Sequence, residues 1–97
     1  MTVVVQHRAG RGRELLTDDA EDISVTGLFV HSDEPYTVGT AVGLSLVVPG
    51  GTIEATGRVV RVGVGASGRT GMGVMFTALD LRALRCIEEL VAAAESR

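Results

Sequence analysis

Residues 41–62 read AVGLSLVVPGGTIEATGRVVRV, and this stretch decides the fold. From Val42 to Val48 every second side chain is a larger apolar one, as in a strand with one buried face. Pro49-Gly50-Gly51 then supplies a turn, because proline fixes its own φ and glycine tolerates positive φ. Alternation resumes from Thr52 to Val62. The stretch therefore predicts an antiparallel β-hairpin.

The N-terminal segment contains one clear strand signal. Residues 2–8 carry three successive valines, and β-branched runs of this kind favour a strand. Residues 9–20 combine glycine with charged residues. They predict a loop, with a short extended piece around Glu14 to Leu16.

Two further strand regions flank the hairpin. From Glu21 to His31 the apolar alternation changes phase at Gly27, which predicts two short strands joined at a kink. Residues 63–71 are rich in glycine and predict a loop. The segment Met72 to Thr77 follows as the last predicted strand.

The period changes after the last strand and predicts a helix over about residues 79–95. Apolar side chains recur there at steps of three and four, as on the buried face of an amphipathic helix. They are Leu81, Leu84, Ile87, Val91 and Ala94. Residues 1–97 thus read as one mainly β domain, with about six short antiparallel strands over residues 2–77 and then the helix. No helix separates the strands, which excludes parallel folds with helical crossovers.

Composition limits the classes of partner. The chain has 97 residues and a net charge of -3, with nine basic residues that are all arginine and only 3% aromatic residues. This balance disfavours a nucleic-acid polymer, although an arginine cluster can still hold one small anion. Small domains bury little surface, so a homodimer would add stability. The single cysteine fits a cytoplasmic setting, and the sequence predicts no membrane span.

Several local patterns suggest chemistry that their context does not support. Gly63 to Gly68 match a dinucleotide fingerprint, but a strand and not a helix is predicted to follow. His7 and His31 lack partners at metal-ligand spacing, so we expect no metal site and place them at the surface or the barrel edge. Cys86 has no neighbouring base and reads as a small buried side chain. We therefore predict no enzymatic activity.

The segment Asp22-Ile23-Ser24-Val25-Thr26-Gly27 has the form DxSxxG and is followed by an apolar strand. It resembles the second motif of the bacterial PilZ family. Similar landmarks follow in order, and the resemblance extends from residue 22 to about residue 91. These landmarks are Val38-Gly39-Thr40, residues 44–50, residues 57–61 and residues 71–76.

The resemblance implies a six-stranded antiparallel PilZ-like β-barrel with a C-terminal α-helix, and a role as receptor or adaptor for cyclic di-GMP. In such a site the Asp22 carboxylate can accept hydrogen bonds from a guanine edge. Ser24 adds a hydroxyl, and Gly27 permits the sharp backbone path. The alternative is that Asp22 and Ser24 only cap a turn between two strands.

The first motif of the family, RxxxR, grips the ligand's phosphates and guanines with two arginines. Here Arg8, Arg11 and Arg13 have spacings of three, two and five, so no pair is four apart. If residues 2–8 form the first strand, the usual place of the motif lies upstream of Met1. Either these three arginines act as a displaced substitute on a loop, or the site has been lost. We expect that the cyclic di-GMP site has been lost, because binding two phosphates needs arginine donors that are preorganised at a set spacing.

The sequence therefore predicts a PilZ-like signalling module with a degenerate cyclic di-GMP site. It would act mainly through contact with a protein partner, in motility, polarity or surface-polysaccharide control, and would require no cofactor. The alternative is a working cyclic di-GMP receptor that uses Arg8, Arg11, Arg13, Asp22, Ser24 and Gly27. A third hypothesis is a nucleic-acid-binding barrel of the OB type.

Overall fold

The computed structural model describes residues 2–7 and 15–95. Within these residues, six antiparallel strands precede one C-terminal helix, which confirms the predicted fold class. The elements are β1 (Thr2–His7), β2 (Leu15–Glu21), β3 (Gly27–His31), β4 (Ala41–Val48), β5 (Gly51–Val64), β6 (Thr70–Ala78) and α1 (Leu81–Glu95). The six strands differ from the five strands of an OB-type barrel.

The strands pair in the order β1-β2-β3-β6-β5-β4, and β1 also pairs with β4, so the sheet closes into a barrel. The 14-residue strand β5 is long enough to pair with β4 along its first part and with β6 along its second. The β2–β3 junction is short, with the pairs Ala20↔Val30 and Glu21↔Phe29. Closure leaves one apolar interior and a continuous outer surface.

The β4–β5 hairpin forms as predicted. Leu46 pairs with Ile53 and Val48 with Gly51, so Pro49-Gly50 makes the turn. Gly50 has a φ of 92°, a left-handed conformation that glycine adopts without a steric penalty. The alternating apolar residues of β4 point inward and, at Val42, Leu44 and Leu46, are at most 1% exposed.

The helix α1 closes the interior with a narrower face than the sequence predicts. Ala83 and Ile87 are buried, whereas Leu81 is 64% exposed and does not belong to the packed face. The helix begins where the Ala83 amide donates to Asp80 Oδ1 at 2.7 Å. This is an N-cap, which satisfies one of the otherwise free amides of the first turn. The helix packs against β5, and Cys86 and Val91 add partly buried contacts with the core.

The segment before Gly27 differs from the prediction. Strand β2 runs over Leu15–Glu21, where the sequence predicts a loop with only a short extended piece around Glu14 to Leu16, and residues 22–26 form a turn where a strand was predicted. Four of the seven residues of β2 are polar or charged, and its place is set by pairing with β1, as in Val5↔Leu16. Residues 8–14 lie outside the described residues, and Arg8, Arg11 and Arg13 are among them.

The glycine-rich stretch is a hairpin loop, shorter than predicted. Strand β5 continues to Val64 and β6 begins at Thr70, so the loop covers residues 65–69. The loop is followed by a strand and not by a helix. A dinucleotide-binding glycine motif needs a helix directly after it, so these glycines do not form such a motif. Gly71, at the start of β6, packs so closely on β3 that a Cβ there would overlap the Val30 carbonyl oxygen.

Candidate functional site

The DxSxxG segment forms a tight corner between β2 and β3. The Ser24 amide donates to the Gly27 carbonyl at 2.8 Å. The Ser24 hydroxyl contacts the Thr26 hydroxyl at 2.8 Å and accepts from the Thr26 amide at 3.2 Å. The Phe76 amide donates to the Thr26 carbonyl at 2.8 Å, which fastens the corner to β6. The corner is therefore ordered by hydrogen bonds of its own.

Asp22 and Ser24 have different roles within this corner. The Ser24 hydroxyl is used in local hydrogen bonds, as in a side-chain-stabilised turn. Asp22 is exposed and takes part in none of the hydrogen bonds just described. Its φ is 53°, a left-handed conformation that a non-glycine residue adopts at some cost in energy. The corner holds the Asp22 carboxylate toward solvent.

A cleft of about 350 Å³ opens beside the corner, on the outer surface of β3, β6 and β5. The structure brings three of the predicted site residues to this cleft, namely Asp22, Ser24 and Gly27. The other three predicted site residues, Arg8, Arg11 and Arg13, lie outside the described residues.

The cleft contains a cation that the sequence prediction did not assign. Arg61 lines the cleft, and its guanidinium carbon lies over the Phe29 ring, 5.0 Å from the ring centroid. This is a cation–π contact with an aromatic ring that is itself buried. Arg61 Nη1 makes a long hydrogen bond of 3.5 Å to the Val64 carbonyl, which leaves most of its donors available.

Strand register explains how Arg61 reaches Phe29. Gly73 of β6 pairs with Arg61 on one side and with Phe29 on the other, so the three residues form one row on the outer surface. Gly73 has no side chain, and Arg61 therefore spans β6 to lie over the ring. A Cβ on Gly73 would lie 3.5 Å from the Arg61 Cβ.

A β-bulge turns Arg61 outward. In β5 the residues Ile53, Ala55 and Val59 point inward, and strict alternation would place Arg61 inside with them. The register with β6 shifts between Val59 and Arg61, so Arg61 lies on the outside. A bulge of this kind has no reliable signal in one sequence, which is why alternation alone misses Arg61.

A second polar cluster lies next to the cleft. His31 Nε2 is 2.8 Å from Glu21 Oε2 and 3.3 Å from Ser67 Oγ, and the Ser67 amide donates to Glu21 Oε1 at 3.4 Å. Hydrogen bonds from Ser67 and then from His31 lower the pKa of Glu21 from 4.5 to about 2. The cluster fastens the β5–β6 loop to the ends of β2 and β3.

The Glu21, His31 and Ser67 set does not have the geometry of a catalytic triad. A triad uses both ring nitrogens of histidine, one for the acid and one for the nucleophile. Here both partners contact Nε2, and the buried Nδ1 has no hydrogen-bond partner. His31 lies at a strand end as predicted, but it is buried and not at the surface. The cluster is arranged as a structural clamp.

Another cleft, of about 360 Å³, lies on the outer surface of β1, β4 and β5. Its described lining includes the carboxylates of Glu54 and Asp80 and contains no arginine. Glu54 accepts a 2.8 Å hydrogen bond from the Ser45 hydroxyl. This surface suits an anionic ligand less well than the cleft beside Arg61.

Among the described residues, no group of three or more histidine, cysteine, aspartate or glutamate side chains could hold a metal ion. In the same part of the chain, no helix is both long enough and apolar enough to cross a membrane. Cys86 is free and half-buried, and it packs against the core.

Comparison with known proteins identifies a family for this chain. A family model described as PilZ domain matches residues 1–93. No curated protein matches the chain. The family match covers the corner, the cleft and most of the helix.

Proposed function

The chain belongs to the PilZ family, whose domains are cyclic di-GMP-binding or adaptor modules, and we propose that it is a cytoplasmic, non-enzymatic adaptor with a weakened nucleotide site. In this proposal it acts chiefly through a protein partner, in bacterial motility, polarity or surface-polysaccharide control. The lone cysteine, Cys86, fits a reducing compartment.

One observation carries the proposal. The cleft beside the corner has a single arginine, Arg61, in its described lining. Cyclic di-GMP carries two phosphates and two guanines, so a cleft with one guanidinium leaves part of the ligand without a cationic contact. Each missing charge-assisted hydrogen bond costs about 1.5–3 kcal/mol, or roughly 10- to 150-fold in affinity.

The second candidate function is a working cyclic di-GMP receptor. It is favoured by the presence of the exposed Asp22 carboxylate and the Arg61 guanidinium in one cleft. These groups are complementary to a guanine edge and to a phosphate, respectively. Arg8, Arg11 and Arg13 would supply further cations in this case.

Titration calorimetry with cyclic di-GMP separates the two candidates. The adaptor proposal expects a Kd weaker than about 100 µM, which corresponds to less than about 5.5 kcal/mol of binding free energy. A Kd of a few micromolar or tighter that is lost in Asp22→Ala would favour the receptor. Asp33→Ala is the control, because Asp33 is also exposed but lies outside the cleft.

The contribution of protein contact is tested in the bacterium that encodes the chain. If the adaptor works without the nucleotide, deletion of the gene alters motility or surface polysaccharide, and the Asp22→Ala allele restores it as well as the wild type does. Failure of Asp22→Ala to restore the phenotype, at equal protein level, would contradict the proposal.

A further inference from the structure

One side of strand β5 has no neighbouring strand along its last residues. Strand β4 pairs with β5 as far as Arg58, and the loop before β4 adds two backbone hydrogen bonds at Val59. Beyond Val59, no described residue pairs with β5 on this side, whereas β6 pairs with it on the other side up to Val64. Residues 60–64 therefore form a free sheet edge, which we call the β5 edge.

A hydrogen bond between β3 and β6 shows which residues of β6 face β5. The Thr70 carbonyl accepts from the Ser32 amide at 3.0 Å, so Thr70 bonds toward β3. The bonding direction alternates along an antiparallel strand. Gly71 and Gly73 therefore bond toward β5.

The backbone groups of Val62 and Val64 face the β5 edge. Gly63 and Arg61 lie opposite Gly71 and Gly73 of β6, so they bond toward β6, and the residues that alternate with them point the other way. The Val64 carbonyl oxygen accepts a long hydrogen bond of 3.5 Å from Arg61 Nη1, and no described strand pairs with Val62 on this side. A row of outward N–H and C=O groups is a template for one further strand.

The side chains of the same two valines are also exposed. Val62 lies opposite Met72, which is fully buried, yet Val62 is 43% exposed and Val64 is 60% exposed. Both valines belong to the inner face of the sheet, at the rim of the barrel beyond the end of the pairing with β4. Residues 62–64 contain no charged residue and no proline, which are features that protect free edges from pairing.

We propose that two copies of this chain pair through the β5 edge, as antiparallel strands related by a two-fold axis at Gly63. In this register Val62 of each copy lies opposite Val64 of the other copy, so the outward backbone groups of both residues bond across the interface. The valine side chains contact each other across the two strands. Arg61 lies opposite Gly65, so no two like charges are directly opposed.

This self-complementarity is the reason to assign a second copy as the occupant. Apolar residues meet apolar residues, and the small domain of 97 residues gains buried surface. The paired segment is short, so we expect a weak dimer with a Kd of about 100 µM or tighter. The inference goes beyond the proposed function, and it does not involve the nucleotide site, because Val62 and Val64 do not line the cleft beside the corner.

The test is analytical ultracentrifugation of the full chain without nucleotide, from about 10 µM to about 1 mM. We expect the mass to rise from that of a monomer to mostly that of a dimer. Val62→Lys/Val64→Lys and Val62→Glu/Val64→Glu should each remain monomeric, because like charges then face each other across the edge. An equimolar mixture of the two variants should associate, because the opposed charges are then opposite in sign.

The matched control is Val25→Lys/Val47→Lys. These two valines are 43% and 48% exposed and lie outside the β5 edge, so the control should dimerise like the wild type. A wild type that remains monomeric at about 1 mM would overturn the proposal. Dimers that persist in both charged variants, a mixture that does not associate, or loss of the dimer in the control would also overturn it.

Amide hydrogen exchange in the wild type tests the same edge without a substitution that could affect folding. The amides of Val62 and Val64 gain a hydrogen-bond partner only in the dimer. We expect their exchange to slow by at least roughly twofold between about 100 µM and about 1 mM protein. Exchange at both amides that does not change with concentration would overturn the proposal, whatever the variants do.

Discussion

His31 Nε2 lies 2.8 Å from Glu21 Oε2, and this contact joins the last residue of β3 to the last residue of β2. The β2–β3 junction has only two residue pairs in its register, and the hydrogen bond between these two side chains reinforces it. Ser67 contacts both side chains from the β5–β6 loop. The ends of β2 and β3 and the loop of residues 65–69 are therefore expected to loosen together.

Replacing Glu21 by glutamine should loosen this region without unfolding the barrel. The substitution removes the charge that His31 and Ser67 contact. We expect a lower Tm and faster amide hydrogen exchange at residues 65–69, with little change in β4. Uniform acceleration across the whole chain, or unchanged exchange in the loop, would contradict the role of this cluster as a local clamp.

The same cluster predicts a pH dependence of stability. The pKa of Glu21 falls from 4.5 to about 2 in the folded chain, so the folded state favours the charged carboxylate. This stabilisation is fully present above pH 4.5 and is lost as the pH falls through about 2. Urea unfolding between these two pH values should show a steeper loss of stability for the wild type than for Glu21→Gln. Parallel curves for the two proteins would refute the prediction.

Two glycines of β6 should respond differently to alanine. A Cβ on Gly71 would overlap the Val30 carbonyl oxygen and lie 2.8 Å from Phe29 Cε1, both too close for a real contact. We expect Gly71→Ala to lower the free energy of unfolding by about 1–3 kcal/mol or more. Gly73→Ala meets only ordinary contacts, the nearest at 3.5 Å, and should change it by less than about 0.5 kcal/mol. Similar losses in the two variants, measured by urea unfolding, would contradict this account of the packing.

Truncating a side chain inside the barrel should leave a cavity and lower the free energy of unfolding, whereas truncating one on the outer surface should not. Leu44 is 1% exposed, and Leu44→Ala should lower the free energy of unfolding by about 2–5 kcal/mol. Val47, on the same strand, is 48% exposed, and Val47→Ala should change it by about 0.5 kcal/mol or less. Chemical denaturation of both variants checks the inward and outward assignment of β4, which would be wrong if Val47→Ala cost as much as Leu44→Ala.

Much of the barrel can be predicted from the sequence because the signals are local. The β4–β5 hairpin follows from alternation around Pro49-Gly50, and the helix follows from its apolar period. Strand β2 could not be predicted in the same way, because four of its seven residues are polar or charged and its pairing with β1 is a tertiary effect. The buried His31 contacts Ser67, which is 36 residues away in the sequence, so no local pattern indicates this contact.

In the candidate site, too, the part encoded by neighbouring residues could be predicted and the part formed by distant residues could not. The Asp22-Ser24-Gly27 corner is contiguous in the sequence, and its motif identifies it. Arg61 is 39 residues beyond Asp22, and it reaches the cleft through a bulge and through a row of three strands. Neither the bulge in β5 nor the alignment of Phe29, Gly73 and Arg61 across three strands can be inferred from one sequence. The position of Arg61 in the cleft is therefore evident only from the structure.

The most direct test of the central claim is a ¹⁵N NMR titration of the wild-type chain with cyclic di-GMP. The account predicts fast exchange, incomplete saturation at 100 µM ligand, and shifts concentrated at the amides of Gly27, Arg61, Gly73 and Met75, which line the cleft. Slow exchange with saturation at stoichiometric ligand would contradict the weakened site. Shifts centred on Ser45 and Glu54 would contradict its location, since these residues line the other cleft.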